Sequence, residues 1–440
     1  MQKIRVLAVI DTLGTGASYV QLYSQCMNKN YFEVTACGMF DGGVREEILR
    51  NQGIKTEVLY GDFSRLKKLL REVDVLHFTE FYDQDYKVTR TAIEAGVPVL
   101  IERNVFGYVM PQDVEKHIDL HLLVSKDAAW TYMRRAKMSV DDFLAKNAVI
   151  YEPINVEGFE KNRLSEGEVS NFRSSLGIDD DTTLVCRVGR PDIAKWSPFT
   201  IQMLWYLVRK IPVKLLIVGG TPKWVSEKIR KYHLEKNVID FGVATEEELV
   251  KIYHSIDALT HSSRIGESFG RTIGEAMAAR KPVVVNSTPW MDNAQIELVD
   301  NGKTGFVANT PKTSAEAVTF LTGHPHDRFE MGLQGYRKAK ADYDPRSNTK
   351  IIEKYYVELL NNKKMLNDKE LLSEYKEVPY FPSNDDIRKY PTEYQKRLKN
   401  YFDNPSLAER SWIKFKQYTQ QRPRRGYILK DTHLHIPPIF

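Results

Sequence analysis

Cysteine is scarce: the 440 residues include three, Cys26, Cys37 and Cys186, scattered and with no C-x-x-C pair. An odd, dispersed set argues against a disulfide framework and a zinc site, and it fits a reducing cytoplasm, the expected location. Long apolar runs are missing as well. None approaches the ~20 residues that span a bilayer, and the run 6–10 is too short and too early for a signal peptide. The ten histidines place no H-x-x-x-H on a helical stretch, and no D-x-D of the manganese-holding kind is recognised, so no metal site is expected. Net charge is only +5, and it is unevenly placed. Residues 361–440 carry 16 Lys and Arg against 10 Asp and Glu, a net +6, which leaves residues 1–360 at −1. The positive excess therefore lies in the C-terminal tail.

With 42% hydrophobic residues the chain can fill two cores and carry an appendage. Continuous apolar runs at 4–10, 32–36, 55–59, 73–77, 97–101 and 120–124 alternate with helical patterns, a βαβ rhythm that implies a parallel sheet covered on both faces. A polar, linker-like stretch follows Tyr151-Glu152-Pro153-Ile154-Asn155. The rhythm restarts with strands at 184–188, 213–218, 238–241, 256–259 and 282–285 and helices near 198–209, 223–233, 246–254 and 269–280. The expected organisation is α/β: a Rossmann-like domain over 1–155, a linker over 156–180, a second Rossmann-like domain over 181–345, a helix over 346–362, and an extension over 363–440.

The most informative stretch runs from Gly266 to Met277. It follows a strand pattern, and it puts Glu267 on a loop and Glu275 inside the next helix, eight positions on. The two carboxylates thus straddle a helix start, where unpaired N–H groups and the positive dipole end offer a seat for a phosphate. A phosphate seat flanked by hydroxyl-binding carboxylates suits a sugar nucleotide.

The strings Glu267-Ser268-Phe269-Gly270, Glu275-Ala276-Met277-Ala278 and Pro282-Val283-Val284 resemble the retaining glycosyltransferases of family four. The resemblance covers roughly residues 3–360 and is strongest over 185–307. It implies the GT-B architecture, two doubly wound domains facing across a cleft, with the acceptor on the first, the donor on the second, and the helix 346–362 crossing back onto the first. It also implies a nucleotide-sugar donor, a glycan or lipid-linked acceptor, a hexose transferred with retention, and no cofactor beyond the donor.

By the same resemblance the catalytic set is Glu267, Arg190 and Lys195. Arg190 and Lys195 match a "G-R…K-G" pattern whose basic groups hold the donor phosphates, although Trp196 stands where relatives often have Gly. Glu267 would meet the donor sugar's hydroxyls, a residue once proposed in the family as the nucleophile, and Glu275 the ribose. Ser268, Phe269 and Gly270 would present backbone N–H groups. Gly14 and Gly16, otherwise a tight turn, would admit acceptor and donor phosphate. Asn104 stands nearest to a histidine that many relatives place against the donor sugar, and its neighbours Glu102 and Arg103 read as a local ion pair. Glu297 to Phe306 matches a family motif usually found on the nucleotide side. With Arg190, Lys195 and the helix dipole on the phosphates, a metal-independent front-face substitution is expected.

Other readings compete. A sugar-nucleotide epimerase would keep the fold and change the reaction. Arg422, Arg424 and Arg425 after Trp412, Phe415 and Tyr418 invite a nucleic-acid or DNA-base reading, but those rings also fit one apolar helix face, and nucleic acid is disfavoured. Lys67, Lys68 and Arg71, with Arg134, Arg135 and Lys137, would support peripheral contact with an anionic membrane, although basic helix faces are usually just solvated. The many rings in 363–440 predict an ordered extension packed on the body, because a disordered basic tail should be poor in aromatics.

Overall fold

Seven apolar strands build the first layer: Ile4–Thr12 (β1), Phe32–Asp41 (β2), Lys55–Val58 (β3), Val75–Phe78 (β4), Val99–Asn104 (β5), Leu120–Leu123 (β6) and Asn147–Val149 (β7). In the computed structural model, which describes residues 3–79, 86–193, 195–289 and 291–401, they pair in parallel in the order β3-β2-β1-β4-β5-β6-β7. A second parallel sheet holds Thr183–Val188 (β8), Val213–Val218 (β9), Val238–Gly242 (β10), Ala258–His261 (β11), Val283–Val285 (β12) and Gly305–Val307 (β13) in the order β10-β9-β8-β11-β12-β13. Each order reverses direction beside its first strand. A doubly wound sheet opens a ligand crevice at the strands' carboxyl ends near that reversal. Both sheets are covered on both faces, which is why β8 is buried along its whole length. The two Rossmann-like domains of a GT-B protein are thus present.

The helix Pro345–Asn362 lays Ile351, Ile352, Tyr356, Val357 and Leu360 into the core of the first sheet, so the crossing is real. The stretch 156–180 departs from expectation. Instead of a bare linker it forms the helices Val156–Lys161 and Glu166–Ser175, and Val156, Phe159 and Ile178 join the core of the second sheet.

Beyond Asn362 the chain continues as the helices Lys369–Lys376 and Asn384–Tyr401. Tyr375 is buried edge-on against Phe32, 6.1 Å between ring centres, and donates to Glu353 at 2.9 Å. Tyr380 stacks on Tyr355 at 5.0 Å. Tyr390 and Tyr394 are buried beside Ile296 of the second domain, while their helix also packs on helix Lys126–Ala136 of the first. The described part of the extension is therefore an ordered strap across both domains. Phe402, Trp412, Phe415, Tyr418, Arg422, Arg424 and Arg425 lie outside the described residues. No described helix is long and apolar enough to cross a membrane. Of the basic faces, Lys67 pairs with Glu94 at 2.8 Å and Arg135 donates to the carbonyl of Gly107 at 2.9 Å, so part of that charge is engaged locally.

Candidate active site

The site is assembled by the loops after β8 and β11. Past Val188 the chain turns at Gly189, whose φ of +152° favours glycine. Arg187, buried at the end of β8, holds this turn: its guanidinium donates to the carbonyls of Gly189 at 3.1 Å and Lys195 at 3.2 Å and stacks on Trp196, 3.8 Å from the ring centre. Burial lowers its pKa to about 10, so it stays charged at neutral pH. Trp196 is fully buried and serves as the floor for Arg187. That explains how the loop tolerates a large ring where relatives have Gly.

The loop so held delivers Lys195 to Glu267. The ammonium lies 2.8 Å from each carboxylate oxygen. The Nε2 of His261, from the end of β11, is 3.0 Å from the same carboxylate, and its Nδ1 is 3.3 Å from the Thr272 hydroxyl. Burial alone would raise the Glu267 pKa, but Lys195 and His261 outweigh it and hold the carboxyl at about 2. Glu267 is therefore a buried, firmly ionised acceptor. Arg190 is placed differently: its side chain is mostly exposed and sits 3.4 Å from Asp192, outside the Lys195–Glu267 pair. As it stands, the side chain forms a local salt bridge at the surface.

After Glu267 the chain enters helix Arg271–Ala278 through Gly270, whose φ of +103° is left-handed. No side chain caps this helix. The backbone N–H groups of Ser268, Phe269 and Gly270 make no hydrogen bond among the described residues, so the expected donors are free. Phe269's ring turns away into the core against Tyr343, at 5.1 Å. One turn into the helix, Glu275 accepts from the Tyr253 hydroxyl at 3.0 Å and lies 3.4 Å from Arg271. Gly266 fixes the approach: φ is +67°, and a Cβ there would lie 1.6 Å from the Asp292 carbonyl. Gly266→Ala is therefore expected to displace the 266–270 turn and lower stability by about 1–3 kcal/mol or more; an unchanged denaturation midpoint would refute this.

The first domain closes the other side. Gly14 has an ordinary φ of −80°, and a Cβ on Gly16 would meet nothing within 4 Å, so neither glycine is imposed by the backbone. The constraint falls on Gly43, with φ +62°, where a Cβ would lie 2.8 Å from the Gly14 backbone. Behind it, Arg45 crosses to Glu246 of the second domain at 2.7 Å. Arg271 and Glu275 lie close enough to act on its charge.

Several expectations need correction here. Asn104 is buried with its amide engaged: it donates to the Tyr108 carbonyl at 2.7 Å and to Glu102 at 3.0 Å and accepts from the Tyr108 N–H at 3.1 Å. Three of its four hydrogen-bonding positions therefore fold its own loop, which leaves one lone pair on Oδ1. Glu102 and Arg103 do not pair with each other. They are neighbours on a strand and point to opposite faces, so Glu102 meets His121 at 2.5 Å and Arg103 meets Glu152. Glu297 faces the first domain, where it accepts from the N–H groups of Lys126 and Asp127 at 3.2 and 3.1 Å and from the Tyr151 hydroxyl at 2.7 Å. Beside it, Ser125 donates to the Ser268 carbonyl at 2.6 Å. The D-x-D spacing does occur, at Asp179-Asp180-Asp181, exposed in the turn before β8 at the strand end away from Glu267, and at Asp342-Tyr343-Asp344, between helices Pro325–Asp342 and Pro345–Asn362, where Asp344 caps the second helix. Asp83-Gln84-Asp85 has it too and lies outside the described residues.

Residues 168–337 match the family model described as glycosyl transferases group 1. This part of the chain belongs to that family. The group 1 region holds β8 to β13 and the whole Lys195–Glu267–His261 cluster. Over 144 residues, 32% of this chain and 36% of the relative, it is 33% identical to an uncharacterized glycosyltransferase of Methanocaldococcus jannaschii. A trehalose synthase of Pyrococcus horikoshii is 28% identical over 260 residues, 53% of this chain and 60% of that protein. The chain thus spans about a third to three fifths of the length of these curated relatives. Among solved structures, a glycosyltransferase from Rickettsia africae aligns with TM-score 0.71 at 16% identity, over 82% of this chain and 100% of the other. Anabaena HepE, solved with UDP and glucose, aligns with TM-score 0.66 at 18% identity, over 80% and 99%. At such identities the likeness establishes the shared fold.

Proposed function

We propose that the protein is a cytoplasmic, retaining glycosyltransferase that moves a hexose from a nucleotide-sugar donor to a glycan or lipid-linked acceptor without a metal ion. The observation that carries this is the ionised Glu267, clamped by Lys195 and His261 beside an uncapped helix start with free N–H groups. The donor's diphosphate would lie against those N–H groups and Lys195, both placed where negative charge grows as the leaving group departs. Arg190 would swing from Asp192 onto the phosphates. Glu267 would accept the sugar's hydroxyls, and Glu275 would use its remaining lone pairs on the ribose. In a front-face step the bond from the sugar carbon to the diphosphate oxygen breaks while the acceptor oxygen bonds on the same face, and the acceptor's proton passes to a phosphate oxygen. Membership of the group 1 family and a fold shared with the UDP-bound HepE support the reading.

Thermal shift with UDP, GDP and ADP and their sugars tests the donor site. A ligand at 100 times its dissociation constant adds about 2.7 kcal/mol to the native state. Transfer is expected to proceed unchanged in EDTA; activity lost to EDTA and restored by Mn²⁺ would overturn the metal-independent mechanism. Product analysis separates transfer from an epimerised nucleotide.

A further inference from the structure

Two large rings stand in water at the carboxyl ends of neighbouring strands, where a doubly wound sheet binds its ligands. Phe40, at the end of β2, is 47% exposed, and Tyr60, just past β3, is 74% exposed. Tyr60 is also held in the left-handed region, φ +52°, a conformation that bulky residues seldom adopt. The backbone enforces it: Leu59 N–H bonds the Gly38 carbonyl at 2.9 Å, and Gly61 N–H bonds the Met39 carbonyl at 2.8 Å. Strain that serves only to present a ring to solvent calls for a ligand. Gly61, next to Tyr60, lies beside the Phe40 ring: a Cβ there would sit 3.8 Å from it.

The patch is continuous with the cleft. Asp41 pairs in register with Thr12, and its carbonyl accepts from Leu13 N–H at 3.1 Å. Gly43 then packs on Gly14, and Arg45 reaches the second domain. Strands are spaced ~4.8 Å apart, so Tyr60, two strands from β1, lies ~10 Å beyond the Gly14 loop.

Charge selects the occupant. The Asp41 carboxylate makes no hydrogen bond or ion pair among the described residues. Asp62 is used on one oxygen, as the cap of Arg65 N–H at 2.9 Å. The nearby cation Arg65 is already paired with Glu57. The charges beside the rings that remain unpaired, on Asp41 and Asp62, are negative and do not favour an anionic membrane there, although Lys67 and Lys68 lie further along the helix that follows. A neutral sugar chain fits: its hydroxyls donate to carboxylates, and the C–H face of a pyranose is attracted to the negative face of an aromatic ring.

We propose that Phe40, Tyr60 and Asp41 form an acceptor subsite for a neutral oligosaccharide chain, running from Asp41 beside β1 out to Tyr60 about 10 Å away by strand spacing. It rests on the glycosyltransferase reading and narrows its acceptor to an extended glycan.

The test titrates wild type, Tyr60→Asn and Phe40→Ala with cello-, manno- and chito-tetraose and the matching monosaccharides. Anionic phosphatidylserine vesicles form a separate arm, and UDP, GDP and ADP thermal shifts are recorded on the same samples. Asn tolerates a positive φ, so Tyr60→Asn removes the ring and keeps the turn. At least one tetraose should bind wild type more tightly than its monosaccharide, and both variants should bind it roughly tenfold more weakly. Their nucleotide shifts should match wild type. No binding by any tetraose, equal binding by wild type and variants, or vesicle binding that depends on Tyr60 would each overturn the subsite. The nucleotide shifts report the donor site alone, so a failure there is recognised separately.

Discussion

Replacing Lys195 with alanine is expected to lower kcat by roughly 10²–10³-fold, the scale of removing one preorganised group from developing charge. Lys195 meets both oxygens of Glu267, so its loss acts twice. The phosphate side loses a cation, and a buried carboxylate loses its chief counter-charge. The second effect is readable without substrate. The folded pKa of Glu267, about 2, lies below its ordinary 4.5. The ionised group therefore stabilises the fold above about pH 4.5, and that contribution is lost as pH falls through about 2. Without Lys195 the folded pKa rises toward the unfolded value, and acid unfolding moves to higher pH. Glu267→Gln should abolish most of this dependence, and the double variant should cost less than the sum of the singles, because each removes the same pair. Wild-type turnover in folded Lys195→Ala, with an unshifted acid midpoint, would remove Lys195 from the site.

Deleting residues 363–440 should lower thermal stability by many degrees or make the protein insoluble. The strap covers Phe32 and Ile296 and supplies partners to buried polar groups: Tyr375 to Glu353, and Tyr394 to the Asn293 amide at 3.2 Å. Removing it bares apolar surface in both domains and strands those groups. A single substitution, Tyr390→Ala, isolates part of this effect and should cost about 3 kcal/mol, the low end for deleting a buried ring. Differential scanning calorimetry with limited proteolysis decides. Rapid trimming near Leu366 with an unmoved melting temperature would show that the strap contributes nothing.

Most of the frame was legible because continuous apolar runs flanked by turns read as buried parallel strands. β7 and β13, three residues each, were missed, while the equally short β12 was read from its unbroken Val-Val-Val run. The helices at Val156–Lys161 and Glu166–Ser175 were read as linker because their outer faces are polar. Ser165 and Glu168 do form a capping box, a signal visible in the sequence. In the site, Glu267 and Lys195 came from the motif, but their contact did not, since it depends on Arg187 and Trp196 folding the intervening loop. Arg187 sits inside an apolar strand pattern and carries no motif. His261 closes β11 and carries no motif. For Asn104, position in a motif did not reveal that most of its amide is engaged by its own loop.

The two domains are joined unequally along their length. Near β6 and β12 the junction is buried: Glu297 binds the start of helix Lys126–Ala136 and Tyr151, Ser125 binds Ser268, and the strap lies over it. Near β2 and β10 it includes the pair Arg45–Glu246, whose glutamate is largely exposed. Its arginine is buried and its glutamate is not, so water and salt screen the pair from one side. If the domains part, the Arg45 edge is expected to open first, as a wedge whose apex is the more heavily bonded Glu297 junction. A long, thin molecule can slide into a wedge from its open side without the domains ever separating.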